Sequence, residues 1–461
     1  IRYMNRIWHL PKPGSYKSKL FKLTGPIFIE NLLIMLFGVV DTFMLSNYAD
    51  SSVAAVGVAN QLLMMVFLLF NVTTTGTTVL CSLYFGAKDN KSFIQVMGVS
   101  ILFNASIGLL ISGCLYFWGE NMLQMMNIRP ELMQDATVYM RTVGGFAFFQ
   151  AISQTISAVL RAANKPNYAM QVTLIINILN VFGNYSLIFG HFGMPSLGVQ
   201  GAALSTTICR GVAMSLLFVV LFRRLVKRLP LDYFKPFPFG KLKAALKIGI
   251  PAASEQISYD ASQVMIVYFI NMLGTEALAA RAYVVNIVIV TYLFSLSLAQ
   301  SSSICAGNLI GMGKKRATYL LTMYALKRSL IVTGCASMFI LIFSRTILSQ
   351  FTQNETIITL GIGALMVDFI LEQGRAVVLL FILTLRSAGD VLFPVIIGLF
   401  SMWFFAVGCG YLFGIVFGWG LAGMWVGFAL DECSRGTLLY FRWKSKKWML
   451  RNLIRPIVKI D

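Results

Sequence analysis

Asp41 stands inside an apolar stretch, flanked by Val39, Val40, Thr42 and Phe43. A charge at the centre of a bilayer costs about 2.5–3.5 kcal/mol on insertion scales. A carboxylate placed there needs a partner or a task. One such task is to exchange a proton for Na+ or for a cationic solute, which is the trade that couples an ion gradient to transport. Asn177, Asn180 and Asn184 recur at helical spacing on one face of a later apolar run. Ser205, Thr206 and Thr207 supply hydroxyl oxygen in the run after that. A second group of charges lies further along the chain. Asp368, Glu372 and Arg375 are spaced i, i+4, i+7 and share a helical face, and Asp260 sits in a separate run. Glu30 and Glu255, with Arg161, Arg210, Arg386 and Arg435, complete the ionisable residues of the apolar runs that invite pairing.

These residues are carried by an unusually apolar chain. Of 461 residues, 57% are hydrophobic and 12% charged, with mean hydropathy +0.75. A soluble chain has about 25% charged residues, so a water-soluble enzyme and a disordered chain are both excluded. Apolar runs fall roughly at 23–47, 53–85, 92–118, 133–160, 167–190 and 196–222, then at 244–272, 277–310, 317–344, 356–385, 391–415 and 420–441. In lipid only helices and closed barrels satisfy their own backbone, and runs of this length predict helices.

The net charge of +20 serves orientation rather than nucleic-acid binding. Basic residues concentrate in alternate gaps (Lys88 and Lys91, Arg161 and Lys165, Lys314 to Arg316, Arg386), in the central segment and in the C-terminal tail. The bias predicts a multi-pass protein of the plasma (inner) membrane with both termini cytoplasmic. The tail alternates basic residues with Trp443, Trp448, Leu450, Leu453 and Ile454, a pattern expected of a helix lying on anionic lipid. The seven cysteines lie within apolar runs without zinc or disulfide spacing. No Walker A pattern is present, so an ion gradient is the expected energy source. No nucleophile motif or metal cluster points to an enzyme.

The chain also repeats itself. Pro26 matches Pro251, Glu30 matches Glu255, Gly86 matches Gly311, Leu160-Arg161 matches Leu385-Arg386, and Arg210-Gly211 matches Arg435-Gly436, all at one offset of about 225 residues. Six spans per half is an even number, so both halves enter the membrane in the same orientation. The expected fold is an all-α membrane protein of twelve transmembrane helices in two parallel six-helix lobes. Its parts are a cytoplasmic tail (1–22), an N-lobe (23–222), a cytoplasmic linker (223–243), a C-lobe (244–441) and a second cytoplasmic tail (442–461). The duplicated glutamates and arginines are expected to form structural ion pairs within each lobe. Pro26 and Pro251 mark expected helix kinks.

The stretches GPIFIENLLIMLFGVVDTFMLSNYADSSVAAVGVANQ (25–61) and GIPAASEQISYDASQVMIVYFINMLGTEALAA (249–280) resemble the opening helices of the two halves of multidrug and toxic compound extrusion (MATE) transporters. VLRAANKP (159–166), LNVFGNYSLIFG (179–190), GVQGAAL (198–204) and TLRSAGD (384–390) extend the resemblance over nearly the whole chain. It implies secondary active export of multidrug or other organic compounds, often cationic or amphipathic, by antiport against inward H+ or Na+. No cofactor is implied beyond the coupling ion. The partners implied are small molecules and membrane lipid, with a monomer expected. A lipid or cell-wall precursor flippase is the alternative with similar architecture.

Asp41 matches the family's functional first-helix aspartate, and Asn180 matches the asparagine of its fifth-helix pattern. Asn184 stands where many members carry Asp, so one negative charge is missing, which tilts the expectation toward H+. Asp41, Asn180 and Asn184 would hold Na+ if it binds, with Thr206 nearby. In the second half, Asp260 stands about where some members carry a cation-binding acid. Arg375 falls near the place of their tenth-helix acid, and a guanidinium there argues against a Na+ site in that lobe.

Overall fold

Every one of the apolar runs becomes helical, because a chain this poor in charge has no other way to pair its amides away from water. The computed structural model describes residues 15–126, 128–226, 230–451 and Leu453. The long helices are α1 (Tyr16–Ser46), α2 (Asp50–Gly86), α3 (Asn90–Met125), α4 (Pro130–Tyr139) with α5 (Ala147–Ala162), α6 (Pro166–Phe189) and α7 (Val199–Val220). In the second half they are α8 (Phe239–Met272), α9 (Thr275–Gly311), α10 (Lys315–Ile342), α12 (Glu355–Ser387), α13 (Leu392–Ser401, running on to Val416 through π-helical turns) and α14 (Gly420–Lys444). A single turn, α11 (Ser344–Leu348), precedes α12, and no strand occurs among the described residues. Eight of the helices are long and apolar enough to cross a bilayer singly, and α4 with α5 makes a ninth span bent by 45°. That bend falls at the π-helical turn Met140–Gly144, a usual cause of sharp kinks. The remaining long helices, α8, α12 and α14, carry most of the second half's buried charge.

Local chemistry sets the breaks. Asp89 caps α3 by accepting from the Ser92 amide, and Asn354 caps α12 through the amides of Thr356 and Ile357. Pro130 and Pro166 open α4 and α6 at the first helical position. Gly190 ends α6 at φ 75°, a conformation that favours glycine.

The chain divides into two compact units. One comprises Ile29–Phe85 and Asp89–Ile250; the other comprises Ile1–Phe28, Gly86–Lys88 and Pro251–Asp461. We call them the N-unit and the C-unit. Residues 23–28 and 244–250 thus fall on the other side of the divide from the place the sequence repeat alone gives them. Leu20, Leu23 and Ile27 of α1 are buried in a C-unit core with Leu298, Phe381 and Trp443. The start of α8 packs in the N-unit, where a Cβ on Gly76 would lie 2.1 Å from the Ala245 carbonyl oxygen. Pro26 and Pro251 lie well inside α1 and α8 rather than in a first turn.

The helices extend past the expected tail boundaries. Helix α1 begins at Tyr16, and α14 runs to Lys444. Trp443 and Trp448 do not face lipid: both are buried, stacked with centroids 4.2 Å apart. Asp390, fully buried, holds Arg442 at 2.7 Å and Arg451 at 3.3 Å. The described start of the tail is therefore packed into the C-unit core. Arg2, Arg6 and Lys12, and the tail from Ile454 with Arg455 and Lys459, lie outside the described residues.

Candidate functional site

In the N-unit the polar centre is built on a close helix pair. A Cβ on Gly201 would lie 2.3 Å from the Leu187 carbonyl oxygen, and one on Gly183 would lie 2.5 Å from the Ser205 hydroxyl. Glycine at both places lets α6 and α7 approach, which sets Asn180 and Asn184 beside Thr206. Asp41 of α1 enters this group and is 9% exposed. Asn184 Nδ2 donates to Asp41 Oδ1 at 2.6 Å, and Thr206 Oγ1 donates to Asp41 Oδ2 at 3.3 Å. Asn184 also donates to Asn180 Oδ1 at 3.4 Å. Asn180 Nδ2 and Asn184 Oδ1 are buried with no hydrogen-bond partner, so polar capacity remains open next to the carboxylate. Ser205 donates to the Asn180 carbonyl, Thr207 to the Ala203 and Thr142 carbonyls, and Asn177 to the Thr173 carbonyl of its own helix. These three take no part in binding the carboxylate.

Arg210 is a correction. Repeat symmetry predicts a structural ion pair, and Arg161 does pair with Glu30 at 2.6 Å. Arg210 has no ion pair among the described residues; its guanidinium lies over the Phe67 ring at 5.0 Å, and its Nη1 is buried without a hydrogen bond. It stands within electrostatic range of Asp41 and of the buried Tyr139. Tyr139 was not legible in the sequence, being one of 17 tyrosines without a spacing signal.

As a cation cradle the N-unit group offers one carboxylate, two amide oxygens and one hydroxyl. Both carboxylate oxygens already face N–H or O–H donors, and Arg210 adds positive charge. No group of three or more His, Cys, Asp or Glu that could hold a metal converges among the described residues.

The C-unit centre is ionic. A Cβ on Gly374 would lie 2.9 Å from the Cys433 amide nitrogen, so α12 and α14 pack closely. That contact brings Arg375 against Glu372 of its own helix and Glu432 of α14, the latter at 3.9 Å. Arg435 meets Glu432 at 3.1 Å, Asp431 at 3.7 Å and Glu255 at 3.9 Å; Arg386 meets Glu255 at 2.6 Å. Asp368 accepts from Trp425 Nε1 at 3.2 Å. Asp260 is a second correction: it is exposed and bonded to Gln256 of its own helix at 3.1 Å, one turn back, outside this cluster. Asp431 and Glu432 take the place expected for it. Their signal was available, since they precede Arg435 by four and three residues on one helical face.

The family model MatE matches residues 26–186 and again residues 251–412, two stretches beginning at the duplicated prolines. The chain belongs to the MatE family. A Bacillus subtilis protein described as uncharacterized transporter YisQ is 41% identical over 446 residues, covering 96% of this chain and 98% of its own. A Thermotoga maritima protein described as probable multidrug resistance protein NorM is 26% identical, covering 97% and 96%. A solved outward-facing multidrug resistance MATE family transporter of the MOP superfamily superposes with TM-score 0.85 at 20% identity, over 95% of this chain and 97% of that one. A MATE structure in a bent conformation gives TM-score 0.87 over 94% and 96%. The fold is therefore all-α, with twelve transmembrane helices in two parallel six-helix lobes. The protein is a multi-pass membrane protein of a family of secondary transporters.

Proposed function

We propose that this protein exports small organic molecules, cationic or amphipathic in character, by antiport against inward H+ through alternating access of its two lobes. The observation that carries the reading is Asp41, a buried carboxylate held by the neutral donors Asn184 and Thr206. A buried charge without an ion pair is costly. A proton removes that charge without moving any neighbour, so the group is suited to load on one side of the membrane and unload on the other. Several relatives are described as multidrug resistance proteins, which supports the substrate class. The coupling ion of this reading is H+, and no cofactor is invoked beside it. Asn180 and Thr206 would position Asp41, and the ion pairs of Glu30 and Glu255 would keep each lobe rigid while it moves. We place the protein in the plasma (inner) membrane, working as a monomer, with both termini cytoplasmic.

The test is purified protein in liposomes with an ethidium-like cation as reporter. Efflux driven by a pH gradient alone supports the reading; efflux driven only by a Na+ gradient overturns H+ coupling, and absence of efflux under both overturns export. Orientation is checked with Lys235→Cys on a background lacking the seven native cysteines. No labelling by an impermeant reagent from outside intact cells is expected. Labelling there would contradict a cytoplasmic linker.

A further inference from the structure

Helix α10 starts at Lys315 and carries a second basic pair, Lys327 and Arg328, well inside its apolar span. At 1.5 Å per residue that pair lies about 18 Å along the helix. From Ser329 to Ile342 the helix has no charge. A hydrocarbon core of about 30 Å measured back from Ile342 therefore begins about one turn before the pair. Charges at that depth are costly, and they reach back to the headgroups along their own methylene stems.

The start of α1 meets α10 at this level. The Lys17 ammonium lies 4.6 Å from the centre of the Tyr324 ring, and the Arg328 guanidinium lies 5.2 Å from it. Tyr324, Lys327 and Arg328 are spaced i, i+3 and i+4 and share a face. One ring thus gathers cations from two helix segments, both within the C-unit. Lys17, Lys22 and Lys327 are exposed and form no ion pair among the described residues. No acid is at hand to make one. Helix α1 has none before Glu30, which is held by Arg161, and α10 has none at all. Like charges gathered in this way repel until an anion joins them.

The neighbours select the anion. Leu320, Cys335, Met338 and Ile342 continue the face of Lys327 at helical spacing, and all are exposed. Phe21, packed edge-on against Tyr324, is exposed as well. Helix α10 packs on α9 and α12 and leaves this apolar stripe uncovered within the C-unit. A soluble phosphate would satisfy the cations and leave the stripe bare, whereas a phospholipid covers both. We propose that Lys17, Lys327 and Arg328, gathered around Tyr324, bind the headgroup phosphate of an anionic phospholipid whose acyl chains lie along the exposed stripe of α10. Basic pockets between membrane helices suit such headgroups. The orientation proposed above puts the site in the cytoplasmic leaflet. The site itself requires neither that orientation nor any transport activity.

The purified full chain in detergent is titrated with phosphatidylglycerol or with phosphatidylcholine of the same acyl chains, and bound lipid is counted by native mass spectrometry. The wild type is expected to retain one phosphatidylglycerol about tenfold or more tightly than phosphatidylcholine, since each basic residue beside anionic lipid contributes several-fold. Lys17→Gln combined with Lys327→Gln is expected to lose that preference. Lys17→Arg combined with Lys327→Arg is expected to keep it, which separates lost charge from a damaged fold. Lys444→Gln combined with Lys447→Gln removes the same charge from exposed positions at and just beyond the end of α14, and is expected to leave the preference unchanged. Excess inorganic phosphate is expected not to displace the lipid. Equal retention of the two lipids by the wild type, an unchanged preference in the Lys17 and Lys327 glutamine variant, loss of it in the arginine variant, or an equal loss in the Lys444 and Lys447 variant overturns the proposal. Displacement by inorganic phosphate overturns the choice of a lipid. Binding in detergent reads the same whichever way the chain crosses the membrane, so a failed orientation or a failed efflux assay leaves this result standing.

Discussion

The two polar centres descend from the same repeat and hold their charge in opposite ways. In the C-unit, Arg435 sits among Glu255, Asp431 and Glu432. In the N-unit its counterpart Arg210 finds no ion pair among the described residues, because the positions matching Asp431 and Glu432 are Thr206 and Thr207. The acid of the N-unit has moved to α1 as Asp41, where it meets neutral donors. At the matching position of α8 stands the buried Ile266. The C-unit ties its charges into a network, whereas the N-unit, beside its Glu30–Arg161 pair, holds Asp41 by neutral donors. A locked network is suited to rigidity and specificity, and a lone carboxylate to exchange.

The largest test of this contrast is Arg375→Ala. Removing one member of a buried pair leaves Glu372 uncompensated, while Glu432 keeps Arg435 at 3.1 Å, for an expected cost of about 3–5 kcal/mol. Folded protein recovered from membranes, measured by thermal unfolding in detergent, should fall steeply. Adding Glu372→Gln to Arg375→Ala should recover part of the loss. Arg210→Ala breaks no ion pair and should be milder; equal losses in the two lobes would erase the contrast.

A smaller effect separates the matched glutamates. Glu255 faces two arginines, at 2.6 and 3.9 Å, and Glu30 faces one, at 2.6 Å. Each glutamate makes one charged hydrogen bond, and Arg435 adds Coulomb attraction to Glu255 from beyond hydrogen-bond distance, so Glu255→Gln should lower the unfolding temperature more than Glu30→Gln. The reverse order would show that the second arginine contributes nothing.

Smaller still is Thr206→Val, which deletes one neutral donor to Asp41. Stability should change by only about 1 kcal/mol. Efflux should slow measurably in liposomes while expression stays normal. Unaltered efflux would remove Thr206 from the group around Asp41.

The fold was legible because an apolar run in lipid must pair its own backbone groups, which a helix does; the apolar runs and the 225-residue repeat already describe the helices. The exchange of the first turns of α1 and α8 between units was not legible, since it depends on which glycines, such as Gly76 and Gly249, another helix approaches. The grouping of Asp41 with Asn184 and Thr206 could be read from residue type plus resemblance. Arg210 could not, because symmetry carries over a residue but not its partners. Asp260 misled for a related reason: helical position places a residue at a depth, yet the direction it faces decides its contacts.

The central claim is that Asp41 is the group whose change of state couples the ion gradient to transport. Asp41→Asn keeps the shape and hydrogen-bonding size of a protonated aspartate while fixing its charge at zero. The decisive measurement is gradient-driven dye efflux from liposomes containing this variant at matched protein content and matched thermal stability. The expected result is loss of gradient-driven efflux with dye binding retained. Efflux at the wild-type rate would contradict the account.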